Sequence, residues 1–471
     1  MATLAICGAV ALVGAPAGSA ALAAGSLPVP VPAISDYQFL SASTTPPAEA
    51  ACFAIGRRCF TAAAMENSYN LPPLYKAGHE GQGVTIAIID SFGNPNMTSD
   101  LANFDTQMNL PHMCGEPGQA CGAGIPTFQH LFWNGKTEVK TQPPGAHNPG
   151  LQDRTSWTLE TSLDVEWAHA MAPMANIIDV TTNPAETEGV QGLPAMMDAE
   201  QYIVDTGQAT VISQSFGATE ESFASTQSLQ NLRHAFISAA ADGVTVLASS
   251  GDGGTANSLK TPVKNPSTVP YPTVNWPASD PLVTGVGGTY LCTNPVTGAG
   301  VDSTDPPVAC QNNPGVREIG WIDSTGGFSH VFAKPAYQDT LPAGSTSTGT
   351  MRGVPDVAFQ ASSTTGPLVY DTAPGAGGWF IVGGTSCSSP QFAGLVAIAD
   401  QIAGHGLGQI NPTLYRLAAG SDYGTYFYDV KTGNNQADPS IPGYLATTGW
   451  DPVTGLGTPN AATLVPALAA G

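Results

Sequence analysis

The stretch GVTIAIID, residues 83–90, is a short run of apolar and β-branched residues that ends in an aspartate. Such a run predicts a strand buried on both faces, as strands of parallel sheets are. Four further stretches share this texture, at 175–182, 209–217, 244–254 and 280–291. Helical patterns lie between them, one starting at Ser99 and others at 193–206 and 225–243. The alternation predicts an α/β fold with a doubly wound, mainly parallel sheet flanked by helices, and sites at the carboxyl ends of the strands.

The composition narrows the class of protein. Of the 471 residues, 42% are hydrophobic and only 11% are charged, and 14 Lys and Arg against 36 Asp and Glu give a formal net charge of −22. The hydrophobic content is enough for a large core. The negative charge argues against nucleic acid or an anionic membrane as partner. Because the self-repulsion of an acidic chain weakens as the pH falls, the balance favours a protein that works in acid.

The N-terminus has the pattern of an export signal. An apolar run from Leu4 to Gly14 leads to Ala21-Leu22-Ala23, so residues 1–24 are interpreted as a signal peptide, with a disordered apolar tail as the alternative. Residues 25–64 are rich in Pro and Ala and are interpreted as a linker or the remnant of a pro-segment. No later stretch is long and apolar enough to span a bilayer. We therefore expect a secreted, extracellular protein whose main domain covers 65–471.

The cysteines agree with export. Cys7 lies in the signal-like segment, and the natural local pairings are Cys52 with Cys59, Cys114 with Cys121 and Cys292 with Cys310. Close cysteine pairs also occur at metal sites, but these spacings are wider than C-x-x-C and no set of histidines accompanies them. Cys387 is left without a partner.

A candidate nucleophile lies in GGTSCSSPQFAG, residues 383–394. Ser386 follows Gly-Gly-Thr and precedes Pro390 and a buried helical pattern, which places it at a strand-to-helix turn. An ordinary N-cap serine is the alternative. A serine nucleophile requires a base, and histidine is the usual one.

None of the eight histidines stands in an H-G-T context, and the best placed is His169, on the helix WTLETSLDVEWAHAMAP. A capping or surface role for His169 is the simpler interpretation. The same helix carries Glu160 and Asp164, which share a face because they are four residues apart. Two carboxyls close together in a buried site share a proton, so Glu160 can act as base to Ser386 with Asp164 orienting it, and Glu166 lies on another face.

Asp252, in LASSGDGG, follows a predicted buried strand and lies between glycines. An aspartate in an ordinary turn is the simple interpretation. The alternative is an oxyanion-hole residue, whose carboxyl must be protonated in order to donate a hydrogen bond to the developing anion.

Several motifs in a fixed order resemble the sedolisin family of serine-carboxyl peptidases. They are GQGVTIAIID, LETSLDVEWAHAMAPMANI, VISQSFG, ASSGDGG and GGTSCSSPQFAG, and the resemblance covers most of the chain from about residue 65. It implies a subtilisin-like fold and peptidase activity. It also implies Glu160 as general base, Asp164 as its partner, Ser386 as nucleophile and Asp252 as oxyanion stabiliser.

Aspartates among glycines near the C-terminus raise the question of a cation site. From spacing alone, Asp429 and Asp451 are interpreted as loop residues that cap turns, although hard oxygen ligands on tight turns also suit Ca²⁺. The resemblance to sedolisins implies one structural Ca²⁺, bound by Asp429, Val430, Thr447, Gly449 and Asp451, with Thr447 standing where glycine is common.

The sequence therefore predicts a secreted, acid-active endopeptidase, monomeric, that cleaves proteins or peptides through an acyl-enzyme. One alternative is a subtilisin-type neutral peptidase that uses Asp90, His169 and Ser386. The other is a catalytically silent binding protein on the same fold. Sedolisin precursors usually carry a long pro-domain, and only about 40 residues separate the signal from the main domain in this sequence. Asp90 receives no catalytic role in the preferred interpretation.

Overall fold

The computed structural model describes residues 31–32, 36–141, 151–182, 192–259 and 268–471. The predicted signal peptide at 1–24 lies outside these residues. The helices are α1 (Glu49–Ala54), α2 (Ala62–Ser68), α3 (Pro72–Lys76), α4 (Met97–Met108), α5 (Leu151–Met171), α6 (Gly192–Asp205), α7 (Thr226–Gln230), α8 (His234–Asp242), α9 (Val308–Gln311), α10 (Thr385–Ala403), α11 (Asn411–Ala418), α12 (Tyr423–Tyr426) and α13 (Ala461–Ala469).

The strands are β1 (Val31–Pro32), β2 (Asp36–Ser41), β3 (Thr85–Ser91), β4 (Phe128–Trp133), β5 (Glu138–Val139), β6 (Asn176–Thr182), β7 (Val211–Gln214), β8 (Phe216–Thr219), β9 (Thr245–Ser249), β10 (Asn275–Trp276), β11 (Thr284–Leu291), β12 (Glu318–Gly320), β13 (Gly327–Ala333), β14 (Met351–Val354), β15 (Val357–Gln360), β16 (Leu368–Asp371), β17 (Gly378–Gly383), β18 (Phe427–Tyr428) and β19 (Thr458–Pro459). Within the described residues, no helix is both long and apolar enough to cross a membrane.

The central sheet confirms the predicted α/β class. Its strand order is β12-β11-β9-β7-β3-β6-β4-β5, and β15 also pairs with β11. Parallel pairs join β3 with β6 and with β7, β7 with β9, β9 with β11, β11 with β15, and β4 with β6. Only β12 and β5, at the two ends of the order, pair antiparallel to their neighbours. The order places β3, the strand of GVTIAIID, in the middle of the sheet.

Helices cover both faces of this sheet. Alternate residues of β3 point to opposite sides, as in any strand. Ile86 and Ile88 belong to the hydrophobic cluster that includes residues of α4, α5 and α10. Ala87 and Ile89 belong to the cluster that includes residues of α6 and α8. Since both faces are buried, the strand reads as a continuous apolar run rather than an alternating one.

The close approach of α5 and α10 positions the candidate site. A Cβ placed on Gly394 would lie 2.5 Å from the Cβ of Met171 and 3.3 Å from the carbonyl oxygen of Ala168. Gly394 lies about two helical turns after Ser386, and Ala168 lies about two turns after Glu160. The two helices therefore run side by side in the same direction, with the candidate nucleophile and base at matching heights.

Two sequence-predicted elements are divided in the structure. The strand expected at 209–217 is interrupted at Ser215, after which β8 leaves the central sheet and pairs with β10 and β1 instead. The helix expected at 225–243 is divided into α7 and α8. Polar residues stand at these positions, among them Ser213, Gln214 and Ser215 in the first stretch, but polar residues alone do not end a strand or a helix.

The three predicted disulfides form, between Cys52 and Cys59, Cys114 and Cys121, and Cys292 and Cys310. Cys387 is a buried free thiol. Within the predicted N-terminal segment, β2 joins β17, the strand that leads to Ser386, with Asp36 opposite Gly383. This part of the segment is therefore folded onto the main domain.

Candidate active site

Ser386 lies at the turn between β17 and α10, as the sequence predicts. Gly384 has a φ of 139°, a value that L residues rarely adopt, and α10 begins at the next residue. The side chain of Ser386 is fully buried, and its Oγ donates a hydrogen bond to the carbonyl of Ser215 at 3.4 Å. The first backbone N–H groups of a helix have no partner within the helix. The Thr385 N–H donates to Asp252 and the Cys387 N–H to the Gly384 carbonyl at 2.9 Å, so the Ser386 N–H is the amide placed to stabilise an anion.

Glu160 and Asp164 lie on α5, one turn apart and fully buried. Burial raises the pKa of Glu160 well above its usual value, and the charges of Asp164 and Asp90 raise that pKa further, while the nearby Ser386 hydroxyl lowers it. Burial also raises the pKa of Asp164, opposed by Ser215, whose Oγ donates to Asp164 Oδ1 at 2.9 Å. The structure thus brings the predicted base and its partner to the nucleophile.

Asp252 follows β9 and is fixed to the residue before the nucleophile. Its Oδ1 accepts hydrogen bonds from the backbone N–H of Thr385 at 2.7 Å and from the Thr385 hydroxyl at 2.9 Å. The Thr385 hydroxyl also accepts from the Gly251 N–H at 2.9 Å. These contacts occupy Oδ1, so the proton that a donor carboxyl needs is expected on Oδ2. All four predicted catalytic residues therefore lie together at the carboxyl ends of β9 and β17 and on α5.

Asp90 and Asp179 extend this carboxyl group in a way the sequence did not indicate. Asp90 lies near the end of β3 and is fully buried; burial, followed by the charges of Asp164 and Asp179, raises its pKa well above the usual value, and the nearby Thr161 hydroxyl lowers it. Asp179, on the adjacent β6, forms an ion pair with His130 at 2.8 Å. The available signal was an aspartate inside or at the end of each of two otherwise apolar strands.

His169, the alternative base, is not part of the group around Ser386. It is at the end of α5 and fully buried, with Nε2 at 2.9 Å from the Pro111 carbonyl and 3.4 Å from Asp105 Oδ2. Among the described residues, Ser386 has no histidine as a hydrogen-bond partner. A Ser–His arrangement therefore receives no support from this geometry.

Cys387, next to the nucleophile, faces away from it. Its side chain is fully buried, and Sγ lies 3.8 Å from the Val382 carbonyl. Burial raises the pKa of this thiol well above its usual value, and the charges of Glu160 and Asp252 raise it further. A thiol held protonated in this way is a poor nucleophile.

The edge of β8 borders the site and carries an antiparallel partner. Val31 pairs with Gly217 and Pro32 with Phe216, so β1 runs toward Ser215, whose carbonyl accepts from Ser386. A groove of 690 Å³ opens at the far end of β8. It is lined by glutamates, aromatic residues and a histidine, among them Glu220, Glu221, Phe223, Tyr271, Phe328 and His330.

The loops predicted to bind Ca²⁺ meet in the structure. Asp429 Oδ1 accepts from the Gly449 N–H at 3.0 Å, and Asp451 Oδ2 accepts from the Thr447 N–H at 2.9 Å. Asp451 is fully buried, which raises its pKa to about 7 against the opposing effect of backbone donors. Within the described residues, the carbonyls of Val430, Thr447 and Gly449 accept no hydrogen bond. Lys431 Nζ lies 3.3 Å from Asp429 Oδ2 and is the nearby cation. This oxygen-only donor set fits Ca²⁺.

Known proteins resemble this chain in sequence. Kumamolisin from Bacillus sp. (strain MN-32) is 32% identical over 419 residues, covering 87% of this chain and 63% of that protein. Sedolisin from Pseudomonas sp. (strain 101) is 34% identical over 278 residues, covering 59% of this chain and 44% of that protein. Human tripeptidyl-peptidase 1 is 32% identical over 331 residues, covering 66% and 52% respectively. The chain thus spans about half to two thirds of the length of these relatives. No family model matches it.

A solved structure resembles the fold. Pseudomonas sedolisin, a serine-carboxyl proteinase complexed with two molecules of pseudo-iodotyrostatin, superposes with a TM-score of 0.66 at 25% identity, covering 87% of this chain and 97% of that one. The sequence relatives and this structure agree with each other and with the buried Ser–Glu–Asp group. The chain therefore belongs to the sedolisin family and has its subtilisin-like fold.

Proposed function

We propose that the protein is a secreted, acid-active serine-carboxyl peptidase that cleaves protein or peptide chains internally through an acyl-enzyme. The observation that carries the proposal is that the Ser386 hydroxyl lies close enough to the buried carboxyl of Glu160 to lower its pKa, with Asp164 one turn further along the same helix. Family membership supports a serine-type peptidase.

The chemistry follows from these positions. Ser386 Oγ attacks the carbonyl carbon of the scissile bond and passes its proton to Glu160 in those molecules in which Glu160 is ionised while Asp164 keeps a proton. Asp252 and the backbone N–H of Ser386 stabilise the oxyanion. Glu160 then gives its proton to the leaving amine, and the acyl-enzyme is hydrolysed by water that Glu160 deprotonates. Activity is expected to fall toward neutral pH, because Asp252 must be protonated and the buried carboxyls share protons that they lose as the pH rises.

Substrates are proposed to bind as an added strand on β8. Support comes from β1, which already pairs antiparallel with this edge and runs toward the nucleophile. We infer that residues 31–32 occupy the place of the acyl side of a substrate and that the part of the N-terminal segment 25–64 before Asp36 serves as a short pro-segment, while the part from Asp36 stays folded on the main domain. Residues further toward the substrate's N-terminus would extend to the groove at Glu220, where aromatic and acidic side chains favour apolar or basic side chains.

The remaining parts of the proposal concern the compartment, the bound metal and the oligomeric state. Three disulfides suit an oxidising compartment outside the cell. One structural Ca²⁺, held by Asp429, Asp451 and the carbonyls of Val430, Thr447 and Gly449, would join the two C-terminal loops and neutralise their buried charge. The protein is proposed to act as a monomer, without nucleic acid or membrane partners.

Digestion of casein between pH 3 and pH 8 tests the function, with wild type compared to Ser386→Ala and the products identified by mass spectrometry. The proposal predicts internal cleavage that is strongest in acid and absent in Ser386→Ala. Release of tripeptides alone from the amino termini would overturn internal cleavage. No cleavage at any pH would favour a silent binding protein.

Incubation at pH 4 followed by N-terminal sequencing tests the pro-segment. Wild type is expected to acquire a new N-terminus between Pro32 and Asp36, and Ser386→Ala is expected to remain intact. A wild-type chain that is fully active with residues 31–32 still attached would contradict this role.

A further inference from the structure

A second cluster of ionisable side chains lies apart from the catalytic group, at the C-terminal end of α4. Asp105 is on α4, and His112 and Glu116 are on the loop that follows, which the Cys114–Cys121 disulfide closes. One side-chain donor atom from each of the three residues lies within 4.8 Å of the other two. Sequence reasoning did not find this cluster, because its members have no familiar spacing.

The carboxylates of this cluster are buried beside histidines: His112 contacts Glu116, His169 contacts Asp105, and Glu116 also accepts from the Met113 N–H. Asp105 is fully buried, and neither of its oxygens has a hydrogen-bond partner. Glu116 is 4% exposed. Within the described part of the chain, neither carboxylate forms an ion pair with Lys or Arg. Buried charges in proteins are normally paired or bind metals.

The hydrogen bonds of His112 define the tautomer that a metal ligand needs. The hydroxyl of Thr106 donates to the Ala102 carbonyl at 2.9 Å, so it must accept from His112 Nε2–H at 3.3 Å. The lone pair of a neutral imidazole then resides on Nδ1, which lies in short contact with Glu116 Oε2. Two lone pairs in contact repel each other, so a proton lies between these atoms when no metal is bound, and zinc binding would release it and move the two ligand atoms apart.

His169 lies at the end of α5 and contacts the cluster. Its Nε2–H donates to the Pro111 carbonyl at 2.9 Å, immediately before His112, and the same atom lies 3.4 Å from Asp105 Oδ2. It thereby links the cluster to the end of α5, the helix that carries Glu160. Such outer partners are typical of metal-binding sites.

We propose that Asp105, His112 and Glu116 bind one Zn²⁺, with a water molecule as the fourth ligand. One imidazole nitrogen and two carboxylates match the ligand types of zinc, whereas Ca²⁺ takes six to eight oxygen ligands. The side chain of His112 is 38% exposed, which gives the ion a route from solvent. This site is separate from the C-terminal loops, and zinc there would join α4, the disulfide loop and, through His169, the end of the catalytic helix.

Zinc retention by the full-length, untagged protein tests the proposal. Protein freed of metal with a chelator is mixed with ZnCl₂ at pH 7, passed through gel filtration and measured for bound metal. Wild type is expected to keep about one zinc per chain, as a single three-ligand site requires. His112→Ala and Glu116→Gln are expected to bind at least about tenfold more weakly. Zinc should also raise the melting temperature of wild type but not of these variants.

Glu200→Gln is the matched control, because Glu200 is an equally buried carboxyl on α6, and it should keep its zinc. Since His112 is partly exposed, His112→Ala tests the site even if variants at the buried carboxyls fail to fold. Wild type that keeps no zinc, or His112→Ala that keeps as much as wild type, would overturn the proposal. If His112→Ala retained as much Ca²⁺ as wild type does, through Asp105 and Glu116, the assignment of the site to zinc would be overturned.

Discussion

Replacing Glu160 by glutamine should flatten the dependence of stability on pH. The Glu160 carboxyl is fully buried, and burial raises its pKa well above the 4.5 that it has in an exposed chain. Between that ordinary value and the raised one, the folded protein holds a proton at Glu160 that the unfolded chain has released. The stabilisation is complete below pH 4.5 and is lost as the pH rises through the raised pKa. Each such proton lowers the free energy of unfolding by about 1.4 kcal/mol per pH unit.

Glutamine does not titrate, so Glu160→Gln should remove this slope of about 1.4 kcal/mol per pH unit. The assay is equilibrium urea denaturation at pH 5, 6 and 7, with Ser386→Ala in both chains so that the protein cannot digest itself. Asp205→Asn, at an exposed carboxylate, is the control and should keep the parental slope. Parallel slopes for Glu160→Gln and its parent would refute the reasoning.

Three further predictions concern the oxyanion residue, the packing of α10 against α5 and the C-terminal Ca²⁺ site. Asp252→Ala should lower kcat on a peptide substrate by about 10²- to 10³-fold, as loss of an oxyanion donor does, and a change confined to KM would contradict this role. Gly394→Ala should cost about 1–3 kcal/mol in urea denaturation, because its Cβ would press on Met171, whereas Gly424→Ala, where a Cβ meets no atom within 4 Å, should cost far less. Chelation of Ca²⁺ should lower the melting temperature of wild type but not of Asp451→Asn, and equal responses would contradict the C-terminal site.

The fold was predictable from the sequence because a parallel sheet leaves a direct pattern. Strands such as β3 and β6 are buried on both faces and therefore read as continuous apolar runs. The break at Ser215 was not predictable in this way, since β8 is as apolar as β7 and differs only in its pairing partners. Which strand pairs with which depends on contacts far apart in the chain.

The candidate catalytic residues could be identified in the sequence because their local settings are distinctive. Glu160 and Asp164 share a helix face through their spacing, and Ser386 lies at a glycine-rich turn. Asp90 and Asp179 were not identified as neighbours, because their closeness arises from the parallel pairing of β3 and β6. The cluster of Asp105, His112 and Glu116 was also hidden, since α4 and its loop must fold before these side chains meet.

The identity of the base is the central claim, and one comparison tests it most directly. Rates of casein cleavage at pH 4 are measured for Glu160→Gln and for His169→Gln, each against wild type. A carboxylate base predicts a loss of about 100-fold or more for Glu160→Gln and nearly full activity for His169→Gln. An inactive His169→Gln beside an active Glu160→Gln would contradict the account.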